Sequence, residues 1–182
     1  MKILKTKLKD CCIIEPKVFK DKRGYFFESF NNKQFKDLTG SKTTFVQDNE
    51  SYSTKGVLRG LHYQTGVYAQ AKLVRVIKGK VLDVAVDLRE NSKTFGEYVS
   101  VELSGENKKQ LFIPKGFAHG FIVLSDTAIF SYKCDNYYNK ESEQGIIFND
   151  KDINIDWQLP EDQIVISEKD TILPTLKNAV LS

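Results

Sequence analysis

Long apolar runs are missing. No stretch approaches the roughly 18 residues that a membrane-spanning helix needs, so no membrane partner is expected. The opening Met1-Lys2-Ile3-Leu4-Lys5-Thr6-Lys7 mixes cations with apolar residues and has no continuous hydrophobic region, so no secretory signal is expected. Cysteine is scarce. Of the three, Cys11 and Cys12 are adjacent, a poor geometry for pairing, and Cys134 stands alone. Without a CxxC pair, neither a zinc ribbon nor a redox dithiol is available. The expectation is a reducing, cytoplasmic setting with buried, unreactive thiols. On that expectation the Asn49-Glu50-Ser51 sequon is fortuitous. Charge of one sign is also scarce: 27 Lys+Arg against 24 Asp+Glu leave +3, too little to mark a nucleic-acid protein. Any basic site must come from local clustering.

Several catalytic signatures are absent. There is no GxGxxG for a dinucleotide, no GxxxxGK[ST] for phosphoryl transfer and no GxSxG nucleophile elbow. Histidine occurs only twice.

What is present is an ordinary globular composition, 41% hydrophobic and 28% charged over 182 residues, which suits one domain spanning 1–182. The chain reads mostly as strands. In Val81–Leu88, Leu82, Val84, Val86 and Leu88 share one face, with Asp83 and Asp87 on the other. Leu73–Ile77 is a β-branched run closed by a hairpin-like turn, Lys78-Gly79-Lys80. Further strands are expected at Tyr98–Leu103, Leu111–Ile113, Phe121–Leu124 and Ala128–Cys134, with turn residues between them. Helical signals are few. Asn31-Asn32 caps a short helix ending near Thr39-Gly40, and a second is expected over 139–144 before Gly145. The expected fold is all-β, a jelly-roll β-sandwich or barrel with a few short peripheral helices and a small-molecule site at its wide end.

Both histidines admit two readings. His62 follows Arg59-Gly60-Leu61, where the glycine allows close approach of a ligand, but a structural histidine bonded in a turn fits equally well. His119 closes Pro114-Lys115-Gly116-Phe117-Ala118-His119, whose Pro-x-Gly-x-x-His spacing resembles the second motif of cupins, although for His119 alone a structural role is favoured. The usual first cupin motif, His-x-His with a following Glu, is replaced by His62-Tyr63-Gln64. Two histidines without a carboxylate or thiolate at ligand spacing make a poor first-row metal site, so neither metal nor cofactor is expected. Tyr132 shares a strand face with Ala128, Phe130 and Cys134, and Lys72 opens the strand after His62. A base, a cation and an acid in one pocket suffice for proton transfer next to a carbonyl. Counted residue by residue, a bonded tyrosine and a solvated lysine explain the same pattern.

Longer blocks are more specific. Phe19-Lys20-Asp21-Lys22-Arg23-Gly24-Tyr25-Phe26-Phe27-Glu28-Ser29-Phe30, Val46-Gln47-Asp48-Asn49, Gly56-Val57-Leu58-Arg59-Gly60-Leu61-His62-Tyr63-Gln64 and Ala71-Lys72-Leu73-Val74-Arg75 resemble the dTDP-4-dehydrorhamnose 3,5-epimerase family. So do Ile113–Phe121, Tyr132-Lys133, Tyr137-Tyr138 and Ser167-Glu168-Lys169-Asp170, in family order across about residues 8–174. Departures are Gln158 after Trp157, Phe148 where Trp is frequent, and Ala71 where Gly is frequent; the tail after Pro174 shows no family signal.

The resemblance implies a cofactor-free, cupin-like isomerase that inverts C3 and C5 of dTDP-4-dehydro-6-deoxy-D-glucose. Carried over by position, His62 is the base, Asp170 its carboxylate partner, Tyr132 the acid and Lys72 the group that stabilises the enolate at the C4 oxygen. Arg23 and Arg59 are implied for the diphosphate, and Tyr138 for stacking on thymine with Phe19 on its other side. Glu28, Gln47, Asp48, Asn49, His119, Glu143 and Lys169 match further substrate-contacting positions. The resemblance also implies a homodimer with exchanged N-terminal strands, so that Phe19 and Arg23 serve the partner's site. The alternatives are an epimerase acting at C3 or C5 alone, and a non-catalytic cupin that binds a nucleotide sugar.

Overall fold

Two antiparallel sheets enclose an apolar interior in the computed structural model, which describes residues 1–181. Ser182, the last residue of the expected 1–182 domain, lies outside the described residues. The chain runs through β1 (Lys2–Lys5), β2 (Cys12–Glu15), a hairpin of β3 (Phe19–Asp21) and β4 (Gly24–Phe26), and helix α1 (Asn32–Thr39). Then come β5 (Gln47–Thr54), β6 (Leu58–Gln64), β7 (Lys72–Lys78), β8 (Lys80–Asp87), β9 (Tyr98–Ser104), β10 (Gln110–Ile113), β11 (Phe117–Val123), β12 (Thr127–Cys134), β13 (Glu143–Gly145) and the short helix α2 (Glu168–Thr171). One sheet has the order β1-β2-β10-β7-β12-β5 and the other β13-β6-β11-β8-β9; β3 and β4 pair with each other alone. The architecture is the expected jelly-roll sandwich, with its helices at the periphery.

Period-two alternation sorts the side chains. Val74 and Val76 of β7, Leu111 and Ile113 of β10, and Ala128 and Phe130 of β12 meet Val81 and Ala85 of β8 and Phe117 and Phe121 of β11 between the sheets. Phe121 and Phe130 stack across this interior with ring centroids 4.1 Å apart. Each fully buried Val, Leu, Ile or Phe among them contributes about 1.5–3 kcal/mol. The second face of β8 is buried as well. Leu82, Val84 and Val86 pack outward with Leu58, Ile122, Ile146 and Trp157, so the face bearing Asp83 is the interior one.

Helix α1 forms where its caps place it. The Asn31 side chain accepts a bond from the Gln34 N–H at 3.1 Å, and Gly40 ends the helix at φ 69°, a left-handed conformation suited to glycine. Its buried Phe35 packs edge-on against Phe112 on the outer face of the first sheet.

Two expectations are corrected. Lys78-Gly79-Lys80 closes no hairpin: β7 and β8 lie in different sheets, so the turn carries the chain from one layer to the other. Gly79, at φ 81°, leaves no room for a Cβ, which would sit 2.0 Å from the Thr127 carbonyl oxygen. The helix expected over 139–144 is a single 3-10 turn, Lys140–Ser142, followed by strand β13. The Asn139 side chain caps that turn, and Glu143–Gly145 then pair with Gln64–His62 at the sheet edge, which takes the backbone bonds a helix would have used. All three cysteines are buried and free, and burial pushes the Cys11 thiol up to about 12 and Cys12 to about 11. No described helix is long and apolar enough to cross a membrane.

Candidate active site

The site begins at an irregularity between β6 and β11. His62 pairs with His119, but the register then shifts, and Arg59 faces Phe121. Here the strands come too close for side chains: a Cβ on Gly60 would lie 2.6 Å from both the Gly120 Cα and the His119 carbonyl oxygen. The close approach that Gly60 permits is therefore made by β11, not by a ligand, which corrects the expectation. The shift leaves His62 partly exposed at the end of the interior, in the wall of a cleft of about 290 Å³.

His62 does not stand alone. Its Nε2 lies 2.8 Å from Oδ1 of Asp170 on α2, and that aspartate is buried. Burial opposes ionisation of Asp170, but the hydrogen bond and charge of His62, with the Gly60 N–H, outweigh it and hold the carboxyl below its usual range. A permanently ionised carboxylate fixes the imidazole's orientation and stabilises an imidazolium.

The opposite wall belongs to the other sheet. Lys72 opens β7 and faces Cys134 of β12 in register, with Tyr132 two positions before that cysteine. Both Lys72 and Tyr132 line the cleft. Burial lowers the Lys72 ammonium from its ordinary value, and Cys134, Asp83 and Glu143 counter it. Burial raises the Tyr132 phenol, helped by Cys134 and opposed by Arg59, so Tyr132 holds its proton at neutral pH. Base and acid candidates thus stand on opposing sheets, with Lys72 on the strand next to Tyr132's. The solvated lysine weighed from sequence is not what forms.

Gln47 and Asn49 of β5 complete one side of the cleft, while Tyr138 and Glu143 stand at its mouth. Tyr138 is half exposed and donates to Glu143 at 3.1 Å; Lys169 pairs with the same carboxylate at 3.3 Å. Arg59 is exposed, with its Nε on Ser53 Oγ at 3.2 Å and no ion-pair partner among the described residues.

Other candidates lie apart. Asp48 points outward and holds Lys133 at 2.8 Å. His119 is buried, bonded through Nε2 to Asp83 at 2.9 Å, and does not line the cleft. Phe19 and Arg23 sit on the exposed β3–β4 hairpin, where Arg23 pairs with Asp21 at 2.6 Å. Glu28 accepts bonds from Asn31 and Gln34, both at 3.1 Å. Sequence reasoning missed Gln64, Gln70 and Cys134 in the cleft, and Asp83 behind it. Parity on β12, which puts Cys134 on the face of Tyr132, is a usable signal for Cys134; for Asp83 the alternation gives its face but not that this face is the interior one.

A cupin-type jelly roll with a His–Asp pair, a half-buried lysine and a tyrosine around one cleft defines an acid–base protein of the cupin class. The chain belongs to the dTDP-4-dehydrorhamnose 3,5-epimerase family, whose model matches residues 5–178 and so extends past Pro174 into the tail. The enzyme of that name from Shigella flexneri is 59% identical over 170 residues, covering 93% of each chain. The structure of the Elizabethkingia anophelis dTDP-4-dehydrorhamnose 3,5-epimerase aligns with a TM-score of 0.95 at 62% identity, covering 98% of this chain and 97% of that one. A Legionella pneumophila dTDP-6-deoxy-D-glucose-3,5-epimerase in complex with dTDP-4-keto-L-rhamnose gives 0.94 at 53%, covering 97% and 93%.

Proposed function

We propose that this chain inverts C3 and C5 of dTDP-4-dehydro-6-deoxy-D-glucose to give dTDP-4-dehydro-L-rhamnose, without a cofactor. The observation that carries this reading is the opposition of His62, backed by Asp170, to Tyr132 across the cleft. Both carbons flank the C4 ketone, so their protons are acidic. His62 removes one from one face of the ring, the enolate forms, and Tyr132 returns a proton to the other face. Inversion follows from the two groups lying on different sheets. Lys72, on the strand beside Tyr132's, stabilises the developing charge on the C4 oxygen, the kind of interaction that often contributes most to such reactions.

The nucleotide fits the outer part of the site. Arg59 offers an unpaired guanidinium to the diphosphate, and Tyr138 offers an exposed ring to the base. Gln47, Asn49 and Glu143 line the cleft and Lys169 pairs with Glu143, with His119 behind the sugar; Asp48 and Glu28 act from outside the cleft. The β3–β4 hairpin exposes Phe19, Tyr25 and Phe26 and pairs with no other strand, which supports a homodimer whose partner takes Phe19 and Arg23 into its own site. Three buried free thiols support a cytoplasmic setting.

Incubation in D₂O with dTDP-4-dehydro-6-deoxyglucose, followed by NMR, tests the reading. Deuterium at both C3 and C5 with inverted products is expected. Label at one carbon would establish the single-centre reaction, and no label would leave a binding protein.

A further inference from the structure

Asp83 is fully buried on the interior face of β8. Its Oδ2 is bonded to His119 at 2.9 Å, yet its Oδ1 has no hydrogen-bond partner among the described residues. Leaving a buried carboxylate oxygen unpaired is costly, so the arrangement calls for a compensating role. The feature shares the barrel interior with Lys72. On β7, Lys72 continues the inward row of Val74 and Val76; on β8, Asp83 sits between the inward Val81 and Ala85.

We propose that Asp83 is a positioning residue for Lys72, its free carboxylate oxygen supplying the counter-charge that keeps this ammonium protonated at the cleft. The assignment rests on the catalytic reading of Lys72 given above. An ammonium stabilises an enolate only while charged, and a buried lysine without an anion titrates at about 5–6. The elements around Lys72 offer few anions for that role. Its ladder neighbours are Ile113 of β10, which carries no charge, and Cys134 of β12, whose thiol burial pushes up and so keeps neutral. Tyr132 is likewise held protonated. Gln47 and Asn49 of β5 are neutral, and His62 of β6 and His119 of β11 bring no negative charge. Glu143 of β13 is shared with Lys169 and Tyr138. Asp83 is left, and the coupling is mutual: burial raises its carboxyl, while His119 and Lys72 both work to keep it ionised. His119 then has a task without touching the reacting carbons, since it holds Asp83 by Oδ2 and leaves Oδ1 free.

The test is a titration of Lys72 in the intact protein, with ¹³C at lysine Cε and the signal assigned through Lys72→Arg. In the native chain Lys72 is expected to stay charged to above about pH 8, where an unpaired buried lysine would already be neutral. In Asp83→Asn its midpoint is expected to fall by about one pH unit or more, a tenfold change in proton affinity. The alkaline limb of the epimerisation profile should move with it, while dTDP affinity stays within about twofold. An unchanged midpoint in Asp83→Asn, or native Lys72 titrating near 5–6, would overturn the proposal. Should Asp83→Asn not fold, Glu143→Gln decides: a fall of about one unit there would make Glu143 the counter-ion and overturn the role of Asp83, and a smaller one supports it. The titration needs no turnover, so failure of the substrate assignment is read separately, as absent deuterium exchange in the native chain.

Discussion

His62 and Asp170 lie 108 positions apart in sequence and 2.8 Å apart in space. One comes from the displaced end of a central strand and the other from a one-turn helix near the C-terminus, packed beneath it. Because its carboxyl is held below the usual carboxylate range, Asp170 is ionised at neutral pH and suited to stabilise an imidazolium formed at His62. Asp170→Asn keeps the shape and removes the charge. Turnover is expected to drop roughly 10²–10⁴-fold with dTDP affinity nearly unchanged. Initial rates and dTDP titration calorimetry check this, and unchanged turnover would remove the pair from the mechanism.

Tyr132 faces His62 from the opposite sheet, with its phenol held protonated by burial. Tyr132→Phe keeps the ring among its neighbours and removes only the acid. Deuterium should still enter the substrate from the His62 side, while inverted product falls by about 10²-fold or more. Following both by NMR in D₂O separates the two steps; full epimerisation by this variant would assign the acid elsewhere.

Asp87, at the end of β8, anchors the loop that follows. Burial opposes its charge, but Arg89, Ser92 and Thr94 bond it and bring its carboxyl down to about 2 from 3.8. A group with a depressed pKa stabilises the fold fully above its unfolded value and loses that contribution as pH falls through the folded one. The difference corresponds to about 2 kcal/mol. Asp87→Asn should therefore lower stability at pH 7, and its deficit against the native chain should shrink between about pH 4 and pH 2. Denaturant melts across that range measure it. A deficit independent of pH would mean that packing, not charge, is lost.

How much of this was legible in the chain depends on what sets each feature. Strand faces were readable because alternation has a period of two, and the caps of α1 because Asn31 and Gly40 act locally. Which face is interior was not readable. In β8 the apolar row Leu82-Val84-Val86 looked like the core face, yet the C-terminal segment covers it, and Asp83 points inward. Likewise, Lys78-Gly79-Lys80 has the residues of a tight turn, but whether a turn joins neighbours or crosses layers is decided by distant pairings such as β12 with β7. His62 and Tyr132 could be named from family blocks alone. The pairing of Asp170 with His62 was implied by the same blocks, whereas that Arg59 reaches Ser53, and Asp83 reaches His119, required the folded chain.

The β3–β4 hairpin pairs with no other strand among the described residues, and exchange of it between subunits, as proposed, would distribute one site over two chains. On that proposal Arg23→Ala removes a phosphate ligand from the partner's cleft, while His62→Ala removes the base from a chain's own cleft. Each variant alone should lose most activity. Mixed and re-equilibrated in equal amounts, about half of the dimers are hybrids, and in each hybrid one cleft combines an intact His62 with an intact Arg23. Activity should recover to about a quarter of the native value, measured as product formed after refolding the mixture. With Arg23 serving its own chain, a hybrid would hold two clefts with one defect each, and mixing would restore nothing. Recovery on mixing therefore reports both the dimer and the direction in which its hairpins are exchanged.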